Sequence, residues 1–499
     1  MIFSNRKGEP MSRPSGFLLV LSVTMLLASP GKADDDPSFD PQLAVKYGLE
    51  IPPAASALQP APQWLRDAEI VSSSAAAWKG YEFLLQPTPV TRIVRARAGH
   101  TRTQLTDYHL VEKVSGIDAE AVRGVPLLSH VPHSADVFRL AHAHAIRAIP
   151  YVHFMCIHTN YADQDVFYYE HPEILMKDEK GHWVHTGMDG SDRLHRFRTC
   201  ANSPSYWKLS LAYVKKMMDW GADGVFVDNC SRRPPCFGPK FNQVRNPEFD
   251  PYVHEHLFPN ASHDYAWGRF LEAVRTLVKS YGDDKVVVLN SSLGSAWQSA
   301  GDSCMWESFI YSWAWEGRRH TWNDVKTKAK ANEWYLSAGR PIVALAFLDP
   351  KRHDMRNDSF WAFACARLVG FVLWASLDHT QVEFLNRVHL GRGLGPYQET
   401  EQIAYRFFEN GLVVLNDSPE DRQIKLRVAE GFTPTQLLDL CESANPSQDH
   451  HRQPGQSDAT EATKAPGPGP AATVPVDKGA VTVNVPSKMA RIFVRPGAK

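Results

Sequence analysis

The chain has 499 residues, 43% of them hydrophobic and 22% charged, an ordinary globular composition with material for two domains, one of them large. A net charge of −1 and a pI near 7.1 leave no basic stripe or acidic field. That excludes the electrostatic recognition of nucleic acid or an anionic membrane surface and points to a neutral partner.

At the N-terminus, Arg6, Lys7 and Arg13 precede the apolar run Phe17 to Ala28 and the small-residue stretch Gly31-Lys32-Ala33. Residues 1–33 therefore read as an export signal, cleaved near Asp34. The 12-residue apolar run falls short of the roughly 20 residues that span a bilayer, and no later segment is long enough. The mature chain is expected to be secreted or periplasmic, with no membrane span, and the sequence leaves its oligomeric state open. Residues 34–84, rich in Asp, Pro and Ala at their start, read as a loose leader segment.

From 85 to 398, short apolar runs alternate with helix-length segments, the grammar of βα units around a parallel sheet. The runs are VPLLSH (125–130), IPYVHF (149–154), ADGVFVDN (222–229), VVVLN (286–290), CMWES (304–308), PIVALAFL (341–348) and GFVLWAS (370–376). Most are apolar on both faces, as strands packed inside and covered by helices outside must be. The predicted fold is thus α/β, a (β/α)₈ TIM barrel. Before 222–229, Asn202 or Ser203 can cap a helix that begins at Pro204, carries apolar residues three and four apart, and stops at Gly221.

Beyond 399 the strands GLVVLN (411–416), IKLRV (424–428), QLLDL (436–440), AVTVNV (480–485) and ARIFV (490–494) lack intervening helices, predicting a small C-terminal antiparallel β-sandwich over 399–499. Residues 443–474, rich in Pro, Gly, Ser and His, are expected to be a disordered insert. Seven cysteines in an exported chain are possible disulfide partners, with Cys230 and Cys236 the first pairing to consider; buried free thiols are the other reading.

Barrel chemistry sits at the C-terminal ends of strands, where the βα loops open on one mouth. Polar residues that end or follow apolar strands are Asp228, Asn290, Glu307, Asp349 and Asp378. Asp223 opens its strand and reads as structural. His142 and His144 make an HxH pair, but they lie in a helical segment, where i and i+2 do not face each other, so no metal is assigned. HExxH, a phosphate-binding glycine loop, a dinucleotide fingerprint and GxSxG are all absent, and no cofactor is expected.

The string GADGVFVDN (221–229), preceded by Asn202-Ser203-Pro204 and its helix, resembles the fourth-strand segment of barrel glycosidases of the α-galactosidase and α-amylase superclan, and of several poorly characterised glycoside hydrolase families. A fifth strand ending in Asn290, a sixth with Glu307 in MWESF, an eighth reading GFVLWAS, and RFFENGLVVLN opening the sandwich extend the similarity over about 125–440. The resemblance implies that Asp228 is the nucleophile of a retaining enzyme acting on a poly- or oligosaccharide. Glycosidic cleavage needs one ionised carboxylate at the anomeric carbon and one protonated carboxyl at the leaving oxygen, so Asp228 takes the first role and Glu307 the second. The competing readings are a loop-capping Asp228, a Glu307 paired with Arg318 or Arg319, and Glu316, Asp302, Asp349 or Asp378 as the acid. Candidate substrate-binding residues are Tyr151, His153, Arg198, Asn229, Asn290, Trp313, Asp349 and Trp374, with Trp183, Trp297 and Trp315 as further stacking platforms. The alternatives are a transglycosidase and a barrel that binds carbohydrate without cleaving it.

Overall fold

The computed structural model describes residues 39–53, 57–73, 78–79, 82–96, 99–119, 122, 124–158, 171–184, 196–244, 253–311, 319–348, 353–376, 388–400, 402–441 and 472–497. Eight parallel strands close a barrel: β1 (Ile70–Ser73), β2 (Leu127–Val131), β3 (Arg147–His153), β4 (Gly224–Asp228), β5 (Val286–Asn290), β6 (Ser303–Phe309), β7 (Ile342–Ala346) and β8 (Val372–Ser376). Neighbours in sequence are neighbours in the barrel, and β8 pairs with β1 through Ile70↔Leu373 and Val71↔Trp374.

A strand's side chains alternate between two faces, and the core divides accordingly. Val71, Leu127, Ile149, Phe226, Val286, Val288, Met305, Val343, Val372 and Trp374 form the cluster that fills the barrel. Leu128, Ala148, Val225, Val227, Leu289, Cys304 and Ala344, the residues between them, pack outward beneath the helices. Those helices are α1 (Ala135–Ala143), α2 (Pro204–Asp219), α3 (His263–Lys279), α4 (Trp322–Ala331) and α5 (Met355–Val369). Ser203 caps α2 by accepting a bond from Tyr206 N, while Asn202 instead clamps Phe258 N and O.

Gly224 has φ +142°, and a Cβ there would lie 1.8 Å from Val286 O, so only glycine lets β5 approach β4 this closely. At the same barrel end, Asp223 accepts bonds from Ala148 N at 2.9 Å, His142 Nε2 at 2.8 Å and Lys285 Nζ at 2.8 Å. This aspartate is structural, and His142 is committed to it.

The stretch read as a loose leader is built into the fold. Helix Pro41–Tyr47 buries Leu43 and Ala44, and Tyr47 Oη donates to Glu255. Ala61, Leu65 and Ala68 join the barrel-filling cluster, Trp64 Nε1 donates to Asp284 O, and β1 itself precedes residue 85. Each piece is too short to show a period in sequence and gains its stability from tertiary burial. Between β1 and β2 lies a hairpin of Glu82–Ala96 with Gly99–Lys113, which helix-strand alternation did not foretell.

The C-terminal sandwich is a curled antiparallel sheet of β9 (Gln398–Thr400), β10 (Ile403–Phe408), β11 (Gly411–Asn416), β12 (Arg422–Arg427), β13 (Gln436–Asp439), β14 (Thr473–Asp477), β15 (Ala480–Val485) and β16 (Ala490–Val494). Its order is β9-β10-β11-β16-β13-β14-β15-β12, around Phe407, Leu412, Val414, Leu426, Val483 and Phe493. The expected barrel and sandwich are therefore both present. Strand β14 begins at Thr473, inside the stretch read as insert; most of that stretch and the export signal lie outside the described residues. Cys230 and Cys236 are not bridged: Cys230 Sγ is buried and donates to Val227 O, whereas Cys236 turns toward Cys200 and two histidines. Among the described residues no helix is long and apolar enough to cross a membrane.

Candidate active site at the barrel mouth

The inward parity that fills the barrel also decides what reaches its mouth. Ile149 points in, hence so do Tyr151 and His153; Phe226 points in, hence Asp228; Val288, hence Asn290; Met305, hence Glu307. These residues end β3 to β6, at the C-terminal face where barrels carry their chemistry.

Three donors converge on the Asp228 carboxylate. Tyr151 Oη donates to Oδ2 at 2.5 Å, Asn229 Nδ2 to Oδ2 at 2.7 Å, and Asn290 Nδ2 to Oδ1 at 2.7 Å. Asn290 Nδ2 also donates to Glu307 Oε2 at 3.0 Å, so one buried amide bridges both carboxyl groups. Ser291 N donates to Asn290 Oδ1 at 2.7 Å, which fixes the amide with its NH₂ toward the carboxyls. The two legs of that bridge hold Oδ1 and Oε2 no more than about 5.7 Å apart.

Glu307 has its pKa raised chiefly by burial, against a lowering by the Asn290 bond, with the negative charge of Asp228 adding a smaller raise. The Tyr151 phenol is pushed far up by burial and by Asp228, so it stays a donor. His153 Nε2 lies 2.9 Å from Asn229 Nδ2, which makes Nε2 the acceptor and places the ring proton on Nδ1, facing Cys156 O at 3.4 Å.

His130 was missed by the strand-end reading, although it closes the run VPLLSH. Its ring centroid lies 4.9 Å from that of Tyr151 and 4.6 Å from that of Phe226. The ring opens to the mouth but is surrounded by protein on its other sides, and this desolvation lowers its pKa against the pull of Asp228, keeping it neutral.

Backbone irregularity collects at the same rim. His130, Asn229, Ser291 and Ile310 have φ of 57°, 52°, 56° and 68°, the left-handed region that non-glycine residues seldom enter. The ladder register also slips between Ser129 and Val131 and between Trp306 and Phe309, around His130 and Glu307, as bulges beside functional sites do.

The other candidates separate. Trp374 is 1% exposed and sits within the barrel, T-shaped to His130 at 5.5 Å and Phe226 at 5.3 Å, so it supports the mouth from below and offers no face to a sugar. Trp297 is likewise buried, donating to Cys230 O, and Trp183 packs on Phe197. Arg198 pairs with Cys156 across a short antiparallel ladder, and its described contacts run there and not to the carboxylates. Asp302 is a fully buried pin at the opposite barrel end, bonded to Arg275, Lys279 and Val287 N, which removes it as an acid. Arg319 pairs with Asp358 and not with Glu307. Trp313, Trp315, Glu316, Arg318, Asp349 and Asp378 lie outside the described residues.

Solved structures similar to the chain include a maltogenic α-amylase, AmyB, from Thermotoga neapolitana (11% identity over 76% of this chain and 93% of that one, TM-score 0.46). A cyclic α-maltosyl-(1→6)-maltose hydrolase from Arthrobacter globiformis matches at 10% identity over 87% and 100% (TM-score 0.46). The glycoside hydrolase domain of PelA from Pseudomonas aeruginosa matches at 15% over 52% and 92% (TM-score 0.36). No protein-family model and no curated protein matches the sequence. Likenesses this distant carry no argument about activity, which has to come from the mouth itself.

Proposed function

We propose that the chain is an exported glycoside hydrolase that cleaves O-glycosidic bonds of a poly- or oligosaccharide with retention. The observation that carries this reading is the Asn290 amide, whose single NH₂ group bonds Asp228 Oδ1 and Glu307 Oε2 and so keeps these two oxygens within about 5.7 Å of each other. Retaining enzymes hold their carboxyl groups about 5 to 5.5 Å apart, whereas inverting ones leave about 6.5 to 9.5 Å for a water.

In the first step Asp228 attacks the anomeric carbon, the glycosidic C–O bond breaks, and the Glu307 proton passes to the leaving oxygen. In the second, Glu307 takes a proton from water, which attacks the same carbon and frees Asp228. The asymmetry of the site suits this division. Asp228 receives three donors, while Glu307 is held toward its protonated form by burial and by its neighbour's charge. A neutral His130 and the Tyr151 phenol border the same space without adding charge to a neutral substrate. Export follows from residues 1–33.

The test is turnover by the purified mature chain on a panel of polysaccharides and aryl glycosides, with product stereochemistry read by NMR. Asp228→Asn is expected to lose at least about 10⁴-fold in kcat with its circular dichroism unchanged. A fully active Asp228→Asn variant, or an inverted product, overturns the assignment.

A further inference from the structure

Behind the loop that follows β4, four side chains that the proposed chemistry does not use converge on one point. The ligand atoms of Cys200, Cys236, His254 and His256 all lie within 4.8 Å of one another. Cys236 Sγ is 3.4 Å from His254 Nε2, Cys200 Sγ is 3.4 Å from His256 Nε2, and the two Nε2 atoms are 3.2 Å apart. We propose that these residues form a structural Cys₂His₂ zinc site that locks the loop after β4 to the segments on either side of it.

The argument begins with the spacing. Zinc bound tetrahedrally at about 2.3 Å from sulfur and 2.0 to 2.1 Å from nitrogen sets its ligands about 3.5 Å apart for a sulfur and a nitrogen, and about 3.3 Å for two nitrogens. The two sulfur–nitrogen distances of 3.4 Å and the nitrogen–nitrogen distance of 3.2 Å match that pattern to within about 0.2 Å. Two imidazole Nε2 atoms this close make no better than one shared proton between them, whereas a cation between them uses a lone pair from each.

The surroundings fit thiolates. Lys177 N and Gly238 N donate to Cys236 Sγ at 3.5 and 3.4 Å, and His263 Nε2 lies 3.4 Å from Cys200 Sγ. Donors aimed at ligand sulfur are the outer support that metal thiolates draw on. The site is also built deliberately: Asn242 bonds both N and O of His254, and a Cβ on Gly238 would lie 2.3 Å from the His254 ring. Cys200 and His254 are buried, Cys236 and His256 half-buried, so an ion has a way in. Two thiolates with two imidazoles, no carboxylate and no open position select zinc as a closed structural centre.

Binding releases the thiol protons and involves no redox step. Its effect is mechanical. Cys200 stands just before α2, Cys236 on the loop that leaves Asp228, and the histidines on the approach to α3, so one ion fixes a wall of the mouth without touching substrate.

The decisive experiment uses the mature chain purified without chelator, loaded with Zn²⁺ or Co²⁺ and desalted. The expected result is about one Zn per chain, with Co²⁺ giving both tetrahedral d–d bands and thiolate charge-transfer bands. Cys236→Ser and His256→Ala are expected to retain less than about a tenth of that metal, while His142→Ala, at the far end of the barrel, retains all of it. Should the variants not fold, the Co²⁺ spectrum of the unaltered chain decides. Absence of bound metal after loading, a Co²⁺ spectrum without thiolate bands, or a Cys200–Cys236 disulfide in the peptide map each overturns the proposal. All readouts are of metal and thiol, so failure here is separate from failure of the glycosidase reading.

Discussion

Asn290 is the residue on which the mouth turns, because it touches both carboxyls and belongs to neither role. Its bond lowers the pKa of Glu307, whereas the charge of Asp228 raises it, so two substitutions should move the same titration in opposite directions. Asn290→Ala removes the lowering contact: the alkaline limb of kcat/KM, set by loss of the Glu307 proton, is expected to move up, with activity down on the order of 100-fold. Asp228→Asn removes the raising charge and moves the Glu307 titration down, read by ¹³C NMR of the carboxyl carbon since turnover is lost. Shifts of the same sign would show that Glu307 is not coupled to both. The same raised pKa has a stability consequence. The fold favours protonated Glu307, so its contribution is fully present below the unfolded value near 4.5 and is lost as pH rises through the raised folded value. Glu307→Gln, a neutral group that can still accept from Asn290, should therefore raise Tm at pH 7 and give no gain below about pH 4.5. An equal gain at both pH values would refute a titrating carboxyl as its cause.

At the scale of the element, β4 carries two aspartates with opposite duties. Asp228 ends the strand with inward parity, while Asp223 precedes it at the other end, tying β3, α1 and the start of β5 through Ala148 N, His142 and Lys285. Asp223→Ala leaves Lys285 and a buried N–H without a partner and is expected to cost about 3 kcal/mol in urea denaturation, with kcat/KM of the folded fraction unchanged. Loss of kcat/KM without loss of stability would reverse the two assignments. This division was legible in the sequence, because glycine stop, apolar run and polar end set both direction and parity, and the same grammar located β5, β6 and their end residues. Besides the hairpin and His130, three features were not legible. The strand β1 has only four residues, and its neighbour at 57–68 is helical for one turn, so neither shows a period. Trp374 looked like a platform because composition cannot say how deep in the barrel a side chain lies. The Cys₂His₂ cluster joins residues separated by 35, 17 and one intervening positions, a spacing with no motif.

For the whole molecule the question is what the sandwich does for the barrel, and α5 answers it. Every residue from Asp358 to Leu368 is buried, so this stretch of the helix has no solvent face; an element buried all round is one covered on both sides. One side packs on β7 and β8, the other on β11 and β16 of the sandwich. The seam is also hydrogen-bonded, with Arg406 Nη1 donating to Arg367 O and Leu368 O, Arg356 to Cys441 O, and Arg319 to both Asp358 and Lys488 O. Removing residues 398–499 would expose that face of α5 and strand these guanidinium groups and carbonyls without partners, a loss a barrel core cannot offset. The chain ending at residue 397 is therefore expected to be insoluble or to bind a hydrophobic dye, and the full mature chain to melt in one calorimetric transition with coincident near- and far-ultraviolet signals. Two separated transitions, or a soluble, folded barrel from the shortened chain, would show that the sandwich is an independent appendage and not the second half of the barrel's outer wall.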